Sequence, residues 1–96
     1  MNRIGFRRNK LADGIHLKVI TPTELVVDEQ VDEVVAPGEV GEFGILPGHV
    51  PFITTLHTGE LKYKKGNSEA KLIVEGGIAD VRDDNVNILT DSVKNI

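Results

Sequence analysis

The stretch Leu61-Lys62-Tyr63-Lys64-Lys65-Gly66-Asn67-Ser68-Glu69-Ala70-Lys71-Leu72-Ile73-Val74 decides the fold. Leu61 and Tyr63 alternate with Lys62 and Lys64; Ala70, Leu72 and Val74 alternate with Lys71 and Ile73. A period of two sends successive side chains to opposite faces, so each run is a strand with one dry and one wet face. The four residues Lys65-Gly66-Asn67-Ser68 between them form a hairpin turn, because Gly and Asn tolerate the positive φ that tight connections demand.

The same signal recurs on both sides of this hairpin. Ile15, Leu17 and Val19 alternate with His16 and Lys18 until Thr21-Pro22-Thr23 breaks the run. Leu25, Val26 and Val27 open a second strand. Val31, Val34 and Val35 form a third, whose irregular spacing predicts a bulge or burial on two sides. Phe52, Thr54 and Leu56 alternate with Ile53 and Thr55, and Asp83-Asp84-Asn85 turns the chain between Ile78–Val81 and Val86–Leu89. Short strands punctuated by turn residues predict an all-β sandwich or barrel. The end differs: Asp91 or Ser92 reads as a helix cap, making residues 93–96 a stub where a helix would start.

Composition bounds what such a domain can do. A chain of 96 residues supports one core, and no apolar run approaches the ~18–20 residues of a membrane span. There is no cysteine, which excludes disulfides, thiolate metal sites and cysteine nucleophiles. The start lacks a signal-peptide pattern, so the expected location is cytosolic. Charge is uneven: residues 1–14 hold four basic residues against one acid, while residues 15–96 hold 7 basic and 14 acidic. The basic leader reads as a flexible start, and the acidic body argues against nucleic acid as a partner.

The residue types of catalysis lack the required spacing. Gly38-Glu39-Val40-Gly41-Glu42-Phe43-Gly44 is spaced wrongly for a phosphate cradle, and its two acids would repel a phosphate. His16, His49 and His57 have no metal-ligand spacing, Asp83 and Asp84 no calcium-loop pattern, and Ser68 and Ser92 no nucleophile context. The expectation is no enzyme, no cofactor and no metal. What stands out is Ala36–Leu56, with three of the four prolines and four of the ten glycines. That density fixes a shaped loop in which Phe43, Ile45 and Leu46 lie beside acids, and Phe43 is a candidate interface anchor. Taken singly, Phe43 and Ile45 are expected to fold back into the core, and the contact role belongs to the loop as a whole.

The run Pro37-Gly38-Glu39-Val40-Gly41-Glu42-Phe43-Gly44-Ile45-Leu46-Pro47-Gly48-His49-Val50-Pro51 closely resembles the signature loop of the ε subunit of bacterial F-type ATP synthases, the counterpart of mitochondrial δ. Leu17–Pro22 resembles that family's opening strand, and Glu75–Val81 with Asn85–Leu89 its closing pair, so the likeness covers residues 15–92. The resemblance implies a flattened ten-stranded sandwich with no catalysis of its own. It would lie in the central stalk, bound to the γ subunit and resting on the c-ring, and so couple ion flow to ATP synthesis. Location follows as the cytoplasmic face of the bacterial inner membrane, with membrane contact only through the complex. Carried over by position, Glu42 and Phe43 face the ring at the tip, with Glu39 and Val40 beside them; Thr21, His49 and Thr54 face γ. The family's two-helix C-terminal domain has no counterpart here, so the expectation keeps assembly and coupling and omits self-inhibition. An isolated domain would have an orphaned γ-facing surface through which it could dimerise. Two other readings fit a small acidic sandwich. One is a lipoyl- or biotinyl-type carrier with Lys64 or Lys65 at its hairpin tip, and the other a generic interaction module.

Overall fold

A computed structural model of the chain describes residues 14–95. Ten strands follow one another with short connections: β1 (Ile15–Ile20), β2 (Leu25–Val31), β3 (Glu33–Gly38), β4 (Gly41–Ile45), β5 (Phe52–Leu56), β6 (Gly59–Lys65), β7 (Ser68–Val74), β8 (Gly77–Arg82), β9 (Asn85–Leu89) and β10 (Val93–Asn95). The all-β expectation holds. Strand order is β10-β7-β6-β3-β5-β8-β9-β1-β2, with β4 on the free edge of β3. The sheet folds on itself: β4, β3, β6, β7 and β10 form one side, and β5, β8, β9, β1 and β2 the other. The sides join where Gly38 of β3 pairs with Leu56 of β5. At the far margin, the amide of Asp32 donates to the Lys64 carbonyl at 2.7 Å and brings β2 against β6.

Alternation builds the core. Ile15, Leu17 and Val19 point inward from β1, Leu61 from β6, Leu72 and Val74 from β7, Ala79 and Val81 from β8, and Val86 and Ile88 from β9. Each fully buried Val, Leu or Ile contributes roughly 1.5–3 kcal/mol, so this shared interior is the main force holding the two sides together. β1 pairs antiparallel with β2 and parallel with β9, which ties the first strand to the ninth.

The two hairpin turns anticipated from sequence use different backbone geometry. Gly66 has φ +61 while Asn67 is not in the positive region, a type II′ pattern that uses only the glycine. Asp83 and Asp84 have φ 50 and 60, the double positive φ of a type I′ turn.

Two local expectations are corrected. Val31 ends β2, and a bend at Asp32 separates it from Val34 and Val35 of β3, so the irregular valine spacing marks a strand boundary. The register shift lies between Val19 and Ile20, against β2. Residues 93–95 form β10, paired with β7 through Val93↔Val74 and Asn95↔Leu72, where the sequence reading has the start of a helix. The pairing wins over the local cap signal because the Ser92 hydroxyl and the Lys94 ammonium both bind the Glu75 carboxylate, fixing the strand beside β7. The leader assigned to residues 1–14 lies, apart from Gly14, outside the described residues.

Candidate docking groove

The stretch Ala36–Leu56, expected as a shaped loop, is a hairpin followed by a loop and a strand. Pro37 pairs with Glu42 and Gly38 with Gly41, so Glu39 and Val40 form the tip. Glycine is required at 38 for packing: a Cβ there would sit 2.7 Å from the Phe43 ring. That ring meets Phe52 edge-on with centroids 5.3 Å apart, and Phe52 meets His49 at 4.9 Å.

A groove follows from the topology. β4 and β5 lie on opposite edges of β3, which meets β5 only at Gly38↔Leu56, and among the described residues no ladder joins β4 to β5, whose Phe43 and Phe52 rings meet instead. The space between is lined by Val40, Glu42, Phe43, His49, Val50, Phe52, Ile53 and Thr54 together with Gly38 and Gly41. Phe43 and Phe52 are half-buried in its wall; Val50 and Ile53 are exposed on its rim, and Val40 is fully exposed at 102%.

The two acids of the tip differ. Glu39 is engaged internally: its carboxylate accepts the Thr55 hydroxyl, and its amide donates to the Thr55 carbonyl at 3.2 Å. Glu42 is exposed and makes no side-chain hydrogen bond or ion pair among the described residues. A free carboxylate beside apolar side chains selects a partner with a cation next to an apolar group. An exposed ion pair adds only ~0–1 kcal/mol, so apolar burial at about 25 cal/mol per Å² is the larger contribution.

The seven candidate contact residues separate into groups. Val40, Glu42, Phe43, His49 and Thr54 line the one groove, so ring-facing and γ-facing candidates are neighbours on it. Glu39 sits at the tip but spends its side chain on Thr55. Thr21 lines a different depression with Ile20, Pro22, Ile78, Leu89, Thr90 and Asp91, where its hydroxyl accepts the Glu24 amide at 3.2 Å. The placement of Glu42 and Phe43 at the tip is corrected: both belong to β4, the turn itself is Glu39-Val40, and Phe43 turns inward toward Phe52. Ile45 folds back into the core, as expected for it singly, and is 1% exposed, while Leu46 is exposed.

Val50, Phe52 and Ile53 were not anticipated as site residues. Ile53 carried a signal, since it is an apolar residue on the wet phase of β5, where it is 61% exposed. Away from the groove, the hydrogen bond from His16 lowers the pKa of Asp28, hydrogen bonds from Ser92 and then Lys94 lower that of Glu75, and burial together with the Glu29 charge raises that of Tyr63. Among the described residues no three His, Cys, Asp or Glu side chains cluster as metal ligands. Lys65 pairs with Ser68 below the Gly66-Asn67 tip and lies 3.8 Å from Glu29, which disfavours it as a carrier lysine.

Fold and groove together define a small β-sandwich that presents a hairpin beside an apolar groove. A family model described as "ATP synthase, Delta/Epsilon chain, beta-sandwich domain" matches residues 14–96, and the chain belongs to that family. It is 48% identical over 81 residues to the ATP synthase epsilon chain of Nitratidesulfovibrio vulgaris (strain Miyazaki F), covering 84% of this chain and 60% of that one. It is 43% identical over 84 residues to the ATP synthase epsilon chain of Trichlorobacter lovleyi, covering 88% and 61%. The chain thus spans about three fifths of the length of these curated relatives. A chain in the Euglena gracilis mitochondrial ATP synthase OSCP/F1/c-ring structure superposes with a TM-score of 0.82 at 27% identity, over 86% of this chain and 54% of that one. A chain of the Tetrahymena thermophila ATP synthase central stalk/c-ring structure has a TM-score of 0.73 at 16% identity, a likeness of fold.

Proposed function

We propose that this chain is a non-catalytic part of the central stalk of an F-type ATP synthase, joining the γ subunit to the c-ring so that ion flow is coupled to ATP synthesis. The observation that carries this reading is the pairing of a free Glu42 carboxylate with an apolar groove on a rigid hairpin, in a chain of the delta/epsilon family. Val40, Glu42 and Phe43 dock on the polar loops of the ring; His49 and Thr54, across the groove, turn toward γ, with Thr21 as an outlying γ contact. Glu39 acts indirectly by holding the tip against Thr55. The domain needs no reaction chemistry for this role, because a close-packed sandwich transmits torque with little deformation. Its working location is the cytoplasmic face of the bacterial inner membrane, reached through the complex.

The test is the Glu42→Ala/Phe43→Ala double variant assembled with γ and the c-ring. Expected is a loss of ring attachment of about tenfold or more, as for truncation of an interface anchor, with uncoupled proton-driven ATP synthesis in reconstituted vesicles. Wild-type attachment and synthesis in the double variant would remove the groove from the coupling interface.

A further inference from the structure

The loop from Leu46 to Val50 carries His49 and Val50 to the groove, yet it belongs to no strand. Its own backbone supplies one short bond, from the His49 amide to the Leu46 carbonyl at 3.1 Å. The His49 ring adds a local bond from Nδ1 to the Val50 carbonyl at 2.8 Å. A long-range restraint comes from 36 residues away: the amide of Gly48 donates to the Asp84 carboxylate at 2.7 Å. Asp84 sits in the β8–β9 turn at φ 60, and its carbonyl accepts the His16 amide at 2.9 Å, which anchors the turn to β1. A type I′ turn is satisfied by Asn or Gly at this position, so the turn alone does not require a carboxylate. A charge-assisted hydrogen bond to a backbone amide is stronger than a neutral one, and here it ties the middle of a loop whose other hydrogen bonds are local.

We infer that Asp84 is a positioning residue for the docking groove: its carboxylate holds Gly48 so that His49 stacks beside Phe52 and Val50 forms the rim. Asp84 touches no partner itself. The inference rests on the groove reading for its consequence in binding, but the restraint on the loop stands independently of what the groove binds. It assigns a role in the interface to a residue on a different hairpin, on the other side of the sandwich from β4.

Two substitutions separate the turn from the restraint. Asp84→Gly retains a residue at ease at positive φ and deletes the acceptor; Asp84→Asn retains both the turn conformation and an oxygen for Gly48. In the full chain, Asp84→Gly is expected to speed hydrogen exchange of the Gly48 amide about tenfold or more and to shift the His49 ring proton resonances away from their Phe52-shielded positions. Its affinity for the γ subunit falls about tenfold, while Asp84→Asn recovers most of the exchange protection, the ring shifts and the affinity. Unchanged Gly48 exchange and His49 shifts in Asp84→Gly would overturn the inference. So would accelerated exchange with undiminished γ affinity, since the order of the loop would then be irrelevant to docking. If the wild-type chain fails to bind γ, the functional reading falls, and the restraint is judged on the exchange and ring-shift measurements alone.

Discussion

The β6–β7 hairpin and the Ala36–Leu56 stretch are made of the same strand physics and end in different places. In the hairpin, pairing runs without a gap from Gly59↔Val74 to Lys65↔Ser68, and a two-residue turn closes it. In the other stretch, β3 divides its partners: β4 along one edge, β6 at Glu33–Val35 and β5 at a single residue pair on the opposite edge. Each region is also tied by an aspartate from elsewhere in the chain. Asp32 accepts the Gly66 amide at 2.8 Å, as Asp84 accepts that of Gly48 at 2.7 Å. The device is shared and its consequence is not. At Gly66 it reinforces a turn that the ladder already defines; at Gly48 it shapes a loop that no ladder reaches. Continuous pairing produces a stiff scaffold, and interrupted pairing produces a surface with room for another molecule.

The largest difference between the two regions is expected at Leu61, which is 0% exposed in the centre of the regular hairpin. Leu61→Ala removes a fully buried side chain and leaves a cavity, at a cost of about 2–5 kcal/mol in urea or thermal unfolding, with little effect on partner affinity while the chain stays folded. Phe43→Ala on the groove side is the converse. Its ring is half-buried, so unfolding experiments should show a smaller loss of about 1–2 kcal/mol, but attachment to the c-ring should weaken more than in Leu61→Ala. A Phe43→Ala loss equal to that of Leu61→Ala, with intact attachment, would make Phe43 an ordinary core residue and erase the contrast.

The two regions also differ in how far the sequence discloses them. β1, β6, β7, β8 and β9 are readable because strict alternation and a local turn suffice to define them. The valines at 31, 34 and 35 mislead because a bend at Asp32, itself tied to Lys64 and Gly66, resets the phase between them. β10 is invisible locally: Ser92 has the chemistry of a helix cap, but its hydroxyl is taken up by Glu75, and only pairing with β7 makes Val93–Asn95 a strand. At the groove, Val40, Glu42, Phe43, His49 and Thr54 were reachable through the resemblance of the Pro37–Pro51 run. Phe52 looked like any inward-facing residue of a strand, and Asp84 like any turn residue. The roles of both depend on contacts with chain segments distant from their own turn or strand, which periodicity does not encode.

The β10 edge differs from the β6–β7 hairpin in its response to pH. Hydrogen bonds from Ser92 and then Lys94 hold the Glu75 carboxyl below its ordinary value of 4.5. A depressed folded-state value means that this contribution is complete above the unfolded-state pKa and is lost as pH falls through the lower folded-state value. Measured against the intrinsic exchange rate at each pH, the protection of β10 amides should therefore fall on acidification in that window before that of β6 does, and Glu75→Gln should make β10 protection respond less to pH. Equal acid sensitivity of the two strands would show that the edge is held by its ladder alone.

The smallest effect is also the most discriminating, because one substitution should have opposite signs in the two regions. Gly44 lies in β4 opposite Val35, outside the positive-φ region, and an added Cβ would meet nothing within 4 Å. Gly66 has equally open space but φ +61. An alanine at 44 therefore restricts the unfolded chain without straining the folded one, which stabilises by about 0.4–1 kcal/mol. The same change at 66 forces an L residue into the left-handed region and destabilises by about 1–2 kcal/mol. Paired denaturation curves of the isolated chain measure both. If Gly44→Ala stabilises the isolated chain but weakens its attachment to the ring, glycine at 44 is maintained by a close approach on the exposed face of β4 and not by the fold. If both alanines destabilise, the backbone of β4 is under a constraint of its own, and the expected difference in sign between the two regions fails at that strand.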